Sequence, residues 1–231
     1  MVIEEPRPKK RPTIITWIII AICIIVFIIT LGPDGMSLNE SSPIVEKLIF
    51  VPDQFFDGQN LHTLITAAFL HGDWIHITSN MYFLWIFGDD AEDVMGRSTF
   101  LIFYLFCAVF ASVFYALVTG VTASLFDPNL MMIGCVGASG AIFGVMAAYI
   151  VFFPNRMIVV PGYGRITAKM YILLYAIMET LYIFLGGGGN VAHAAHVGGF
   201  IGGILFVFVF RKFNRPQYDA LKAEYSPKAS V

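Results

Sequence analysis

Four polar side chains set in apolar surroundings carry the chemistry open to this sequence: His76, Asn80, Ser139 and His196. A serine hydroxyl beside a neutral imidazole is a nucleophile with its base. The imidazole takes the hydroxyl proton and later returns it to a leaving amine. His76 and Asn80 are four residues apart, which puts them on one helix face. Both can donate hydrogen bonds and neither is a carboxylate, so that face suits an oxyanion better than a cation. Each residue also has a plainer reading. Ser139 lies in Gly137-Ala138-Ser139-Gly140-Ala141-Ile142-Phe143-Gly144, where Gly140 and Gly144 form a small-xxx-small packing pair. A membrane serine there can simply bond a carbonyl one turn back. His76 and Asn80 could likewise serve as interhelical bonds.

The second glycine-rich segment favours the chemical reading. His196 stands just before two overlapping pairs, Gly198 with Gly202 and Gly199 with Gly203. These should let its helix pack closely on the helix of Ser139, close enough for a side-chain hydrogen bond. Amides at the start of the Ser139 helix would then help hold an oxyanion. His193 is a second candidate base on nearly the same face, placed nearer the outer water and without the glycines that follow His196. Glu179 is an acid inside an apolar span. A protonated, hydrogen-bonded glutamic acid is its plainer reading, and a gating role the sharper one. His71 reads as an anchor for a long loop, and His62 as a loop residue.

The elements that must position these groups are membrane spans. The chain of 231 residues is 58% hydrophobic and 13% charged, against roughly half and a quarter in soluble domains. The excess falls in blocks near the ~20 residues that cross a bilayer. The expected architecture is an all-α polytopic membrane protein. A basic tail occupies 1–12 and a six-helix core 13–211, with spans at about 14–31, 74–87, 100–119, 135–153, 168–185 and 191–210. A second tail covers 212–231. The connection from Gly32 to Asp73 is too apolar for plain linker, and Ile44–Val51 with Phe55–Phe56 should hug the membrane. The first apolar run, Thr13–Leu31, is too long for a signal-peptide core and no A-x-A-like site follows it. The three cysteines read as small buried hydrophobes.

Basic residues cluster in the N-terminal tail, the loops after the second and fourth spans, and the C-terminal tail, with only Lys47 in the alternate loops. Six spans with both termini cytoplasmic satisfy the positive-inside rule. Spans two, four and six then run inward, and His76, Asn80, Ser139 and His196 each fall in the first turns of their span. All four share one depth, in the outer half of the bilayer. Nothing in that placement used their chemistry.

The motifs resemble those of the rhomboid family. His71-Gly-Asp-Trp74-Ile-His76-Ile-Thr-Ser-Asn80, Gly137-Ala-Ser139-Gly140, Ala195-His196 with its glycines, and Glu92 with Gly96-Arg97-Ser-Thr-Phe100 appear in the family's order over about 60–211. The resemblance implies a six-helix rhomboid-like bundle and a Ser139–His196 dyad without an acid. It implies oxyanion donors from His76, Asn80 and the Ser139 amide, and serine endopeptidase activity on transmembrane protein substrates in the lipid bilayer. It also implies that the loop at Gly186–Gly189 caps the site, and a plasma-membrane location is expected. Phe143, one turn after Ser139, should stack on His196. No cofactor or metal is expected, no basic stripe points to nucleic acid, and the oligomeric state stays open. No histidine is followed by glutamate as in H-E-x-x-H, no pair of aspartates lies within spans, and the polar residues do not trace a transport path. A catalytically silent client-binding relative is the remaining rival.

Overall fold

The computed structural model describes residues 3–4, 11–160, 162, 164–185, 192–214 and 219. The glycine run 186–189, read above as a lid, lies outside them. The chain is mostly helical, and three described helices are long and apolar enough to cross a membrane: Arg97–Leu125, Ala168–Leu185 and His193–Phe213.

In chain order, β1 (Ile3–Glu4) precedes α1 (Ile15–Thr30). The long connection holds three short helices, α2 (Pro43–Leu48), α3 (Pro52–Phe56) and α4 (Thr63–Thr66). Pro43 and Pro52 start the first two, since proline lacks an N–H that the first turn cannot use. Next come α5 (Trp74–Phe83), a π-helical turn at Leu84–Gly88, and α6 (Asp89–Met95). Gly96, at φ 80°, separates α6 from α7 (Arg97–Leu125). Then follow α8 (Ser139–Phe152), β2 (Met157–Val160), β3 (Gly164–Thr167), α9 (Ala168–Leu185) and α10 (His193–Phe213).

The acidic segment after the second span is the helix α6. One feature departs from the all-helical expectation. The tail and the basic loop meet in a three-stranded antiparallel sheet, ordered β1-β2-β3, with Ile158 opposite Ile166 and Ile3 opposite Val159. No strand is longer than four residues, too short for its pattern to register against its polar flanks. The residues just before α1 are also tied down. The Glu92 carboxylate accepts the N–H groups of Ile14, Ile15 and Thr16 at 2.8–2.9 Å and the Thr16 hydroxyl at 2.7 Å. An anion suits this place because the first amides of a helix have no intrahelical partner and the helix dipole is positive there. Arg97 donates to the Pro12 carbonyl from the next helix.

α8 sits at the centre. Twelve of its residues are buried, around the whole helix, as an apolar helix surrounded by others must be. Its 14 residues reach about 21 Å, short of the ~30 Å hydrocarbon core. The backbone before α8 is irregular, and other parts of the protein cover it. The cover is the long connection. Phe50 and Cys135 exchange backbone hydrogen bonds, and the Gly137 N–H donates to the Ala67 carbonyl at 2.9 Å. By contrast α1 leaves Ile18, Ile25, Ile28 and Ile29 exposed while burying Ile19, Cys23 and Phe27, the pattern of a helix with one face to lipid.

The glycines of α10 divide between two neighbours. A Cβ at Gly199 or Gly203 would collide with the carbonyl oxygens of Gly140 and Gly144 on α8, whereas Gly198 and Gly202 face Phe114 and Phe110 on α7. Only one of the two expected pairs thus packs on the serine helix. Gly199→Ala meets backbone that cannot turn aside, so its Cβ must push α8 and α10 apart. Overpacking of this kind costs about 1–3 kcal/mol. Gly202→Ala meets a phenylalanine ring, which can shift. Thermal unfolding in detergent should show Gly199→Ala clearly destabilised, and more so than Gly202→Ala.

Candidate active site

Three helices starting near one level build the site. Ser139 is the first residue of α8, so its own amide and those of Gly140 and Ala141 lack intrahelical acceptors. His196 lies in the first turn of α10, buried, with its Nε2 2.7 Å from the Ser139 Oγ. Phe143 stacks on the His196 ring at 4.6 Å with the planes 7° apart. The ring expected to stack on the imidazole does so.

His76 lies in the first turn of α5, whose start is set by Asp73: that carboxylate accepts the His76 N–H at 2.8 Å. The Gly72 N–H donates to His76 Nδ1 at 3.3 Å. This assigns the Nδ1 lone pair to Gly72 and leaves the proton of the neutral ring on Nε2. Nε2 faces Gly137, whose φ of 126° only glycine adopts readily. The space a side chain would fill at Gly137 lies 2.7 Å from His76 Nε2 and 3.5 Å from Ser139 Oγ. An oxygen near that place could accept from the imidazole. Asn80, one turn further along α5, is buried, and its Nδ2 has no hydrogen-bond partner among the described residues. A buried unmade donor costs free energy, and a catalytic role is one of the reasons a native structure keeps one.

A cavity of about 20 Å³ borders Ser139, Gly137, Ser112 and Cys135, room for one water molecule. A larger apolar groove, about 590 Å³, lies elsewhere between Phe56, Leu117, Val121 and Met131 and contains none of these groups.

The other histidines separate. His71 is fully buried, edge-on to His76 at 5.2 Å. Burial, then the His76 ring, pushes its imidazole down to about 3, so it stays neutral. His62 ties two parts of the long connection together through the Lys47 carbonyl at 2.8 Å. His193 does not reach the serine; its Nδ1 is 2.6 Å from Glu179 Oε2. The same oxygen is 2.7 Å from His196 Nδ1. That contact escaped the sequence reading, although the depth argument could have found it. Glu179 lies near the end of α9 that leads towards α10, at the level that grouped the other four residues.

Glu179, His193 and His196 are also the one group among the described residues whose ligand atoms converge as a cation site would. Zinc holds such ligands at about 2.0–2.2 Å from itself, which keeps the ligand atoms about 3 Å or more apart. The 2.6 and 2.7 Å separations here are those of hydrogen bonds.

A Rhomboid domain model matches residues 58–213, more than half of the chain. Rhomboid-like protein 11, chloroplastic, of Arabidopsis thaliana is 27% identical over 241 residues, covering 94% of this chain and 72% of the relative. Rhomboid protein 1, mitochondrial, of Saccharomyces cerevisiae is 30% identical over 159 residues (65% and 42%). RHOMBOID-like protein 12, mitochondrial, of Arabidopsis thaliana is 33% identical over 156 residues (64% and 45%). The chain thus spans less than half the length of the last two. These relatives overturn the plasma-membrane expectation, since they are chloroplastic or mitochondrial. The basic-residue pattern orients spans across whichever membrane they enter and does not name it.

Proposed function

The chain belongs to the rhomboid family, and on that premise we propose that it is an intramembrane serine endopeptidase. It hydrolyses peptide bonds in or near transmembrane segments of other membrane proteins, in a mitochondrial or chloroplast membrane. The observation that carries this reading is the 2.7 Å contact from Ser139 Oγ to His196 Nε2 at the start of a buried helix. Six spans accommodate it: the three long helices, α1, the run from α5 into α6, and the short α8.

Ser139 Oγ attacks the scissile carbonyl carbon while its proton moves to His196 Nε2. The carbonyl oxygen becomes an oxyanion, held by His76 Nε2–H, Asn80 Nδ2–H and the Ser139 amide. Collapse breaks the C–N bond, and His196 gives its proton to the departing amine. Water then attacks the acyl ester with His196 again as base, and Ser139 is released with its proton restored.

A fluorophosphonate probe should label Ser139 and no other serine in the purified protein, and labelling should vanish in His196→Ala. Peptide mapping of the labelled chain reads this directly. A wild-type protein that takes no label would sink the protease reading and leave a membrane protein that binds clients without cutting them.

A further inference from the structure

The resemblance to the rhomboid family implies a serine and a histidine with no acid behind them. In this chain the far side of the histidine is occupied. His196 Nε2 faces Ser139 Oγ at 2.7 Å, and His196 Nδ1 faces Glu179 Oε2 at 2.7 Å. We propose that Glu179 is a positioning residue that completes a Ser139–His196–Glu179 triad. The proposal rests on the protease reading above and adds to it the group that acts through the base.

For His196 to take the serine proton, its Nε2 must carry a lone pair, so its Nδ1 must carry the hydrogen. A carboxylate only accepts hydrogen bonds and selects that tautomer. It also fixes the ring. Two hydrogen bonds at opposite nitrogens and the Phe143 stack leave the imidazole no free rotation. When the serine proton arrives, the ring becomes an imidazolium beside the carboxylate. The pair is worth more there than in water because the surroundings polarise weakly. Glu179 takes no proton at any step: the one proton passes from Ser139 to His196 to the leaving amine.

His193 fits the same account. A carboxylate within a membrane is expensive, and Glu179 is 4% exposed. The second N–H, from His193 Nδ1 at 2.6 Å to the same oxygen, offsets part of that cost.

The test uses the full chain in detergent with a transmembrane reporter. Glu179→Gln keeps the size and an accepting oxygen but removes the charge. It should lower kcat by about 10²–10⁴-fold, the range for losing general-base support, with KM changed less than about threefold. Glu179→Asp, which restores the charge, should recover part of the loss. Nitrogen NMR of histidine-labelled wild type reads the tautomer without any substitution at 179. The signal missing from His196→Ala should be that of the Nδ1–H form. Wild-type kcat in Glu179→Gln, or a fall in kcat that merely follows a fall in thermal midpoint, overturns the proposal. So does a neutral His196 protonated on Nε2, even where Glu179→Gln cannot be purified. Ser139→Ala in the same assay separates the two levels. If it cleaves like wild type, the protease reading has failed; if it is inactive while Glu179→Gln is fully active, only the triad has.

Discussion

Ser139→Ala and His196→Ala should each reduce cleavage of a transmembrane reporter to background while leaving the fold intact, and the double substitution should be no worse than either. The Oγ and Nε2 atoms are 2.7 Å apart and perform one proton transfer, so removing either partner removes the whole step. In soluble serine proteases such losses reach about 10⁶-fold and are grossly non-additive for that reason. The effect on stability should be small by comparison. Ser139 is half-buried at a helix start with its hydroxyl already given to His196, so alanine leaves no large cavity. His196→Ala is the harsher change, because it also strands the Phe143 ring and one bond to Glu179. His193→Ala is the informative contrast. It lacks contact with the serine, and its turnover should fall by less than about tenfold, the equivalent of 1.4 kcal/mol. A dead His193→Ala beside an active His196→Ala would reverse the assignment of the base. Reporter cleavage by the purified variants, with circular dichroism as the folding control, decides all of these.

The second large effect concerns the oxyanion. Asn80→Ala should lower kcat by about 10²–10³-fold, or roughly 3–4 kcal/mol, while barely changing KM. The reasoning starts from the unmade donor. Asn80 Nδ2 is buried without a partner among the described residues, so in the resting protein the amide gives up a hydrogen bond. A group that becomes satisfied only as charge develops on the substrate stabilises the transition state more than the ground state. His76→Ala should act in the same direction, since the Gly72 N–H leaves the His76 proton on Nε2, facing the space at Gly137. It should also loosen the loop, because His76 meets the His71 ring and takes the Gly72 N–H. Asn80→Ala is therefore the cleaner measurement. Equal losses in kcat and in substrate affinity would instead identify Asn80 as a packing residue.

Much of this arrangement was legible in the residues. Hydropathy located the apolar blocks. Ser139 and His196 emerged because polar groups inside a membrane are rare enough to stand out. Stacking of Phe143 followed from a spacing of one helical turn taken together with the family resemblance. Glu179 was equally conspicuous, yet its partner was not. An acid in a span invites several readings, and nothing in a linear pattern says which histidine it will meet. The β1-β2-β3 sheet was invisible for another reason. Its strands are two to four residues long, too short for alternation to show, and β1 pairs with β2 across more than 150 positions.

The sequence by itself determined the membrane class and the apolar segments, because hydropathy is read along the chain. Only the tertiary structure decided how each helix is turned about its own axis and which neighbour it faces. In water an amphipathic helix announces its inner face. In lipid the outer face is as apolar as the inner one, so composition cannot distinguish them. α1 and α8 are both apolar throughout, yet α8 is buried all round and α1 shows a row of isoleucines to its surroundings. The same ambiguity hid the division of the α10 glycines between α7 and α8. Where side chains do not choose a side, the choice falls to backbones close enough to touch, as Gly199 and Gly140 are. That contact brings His196 to Ser139.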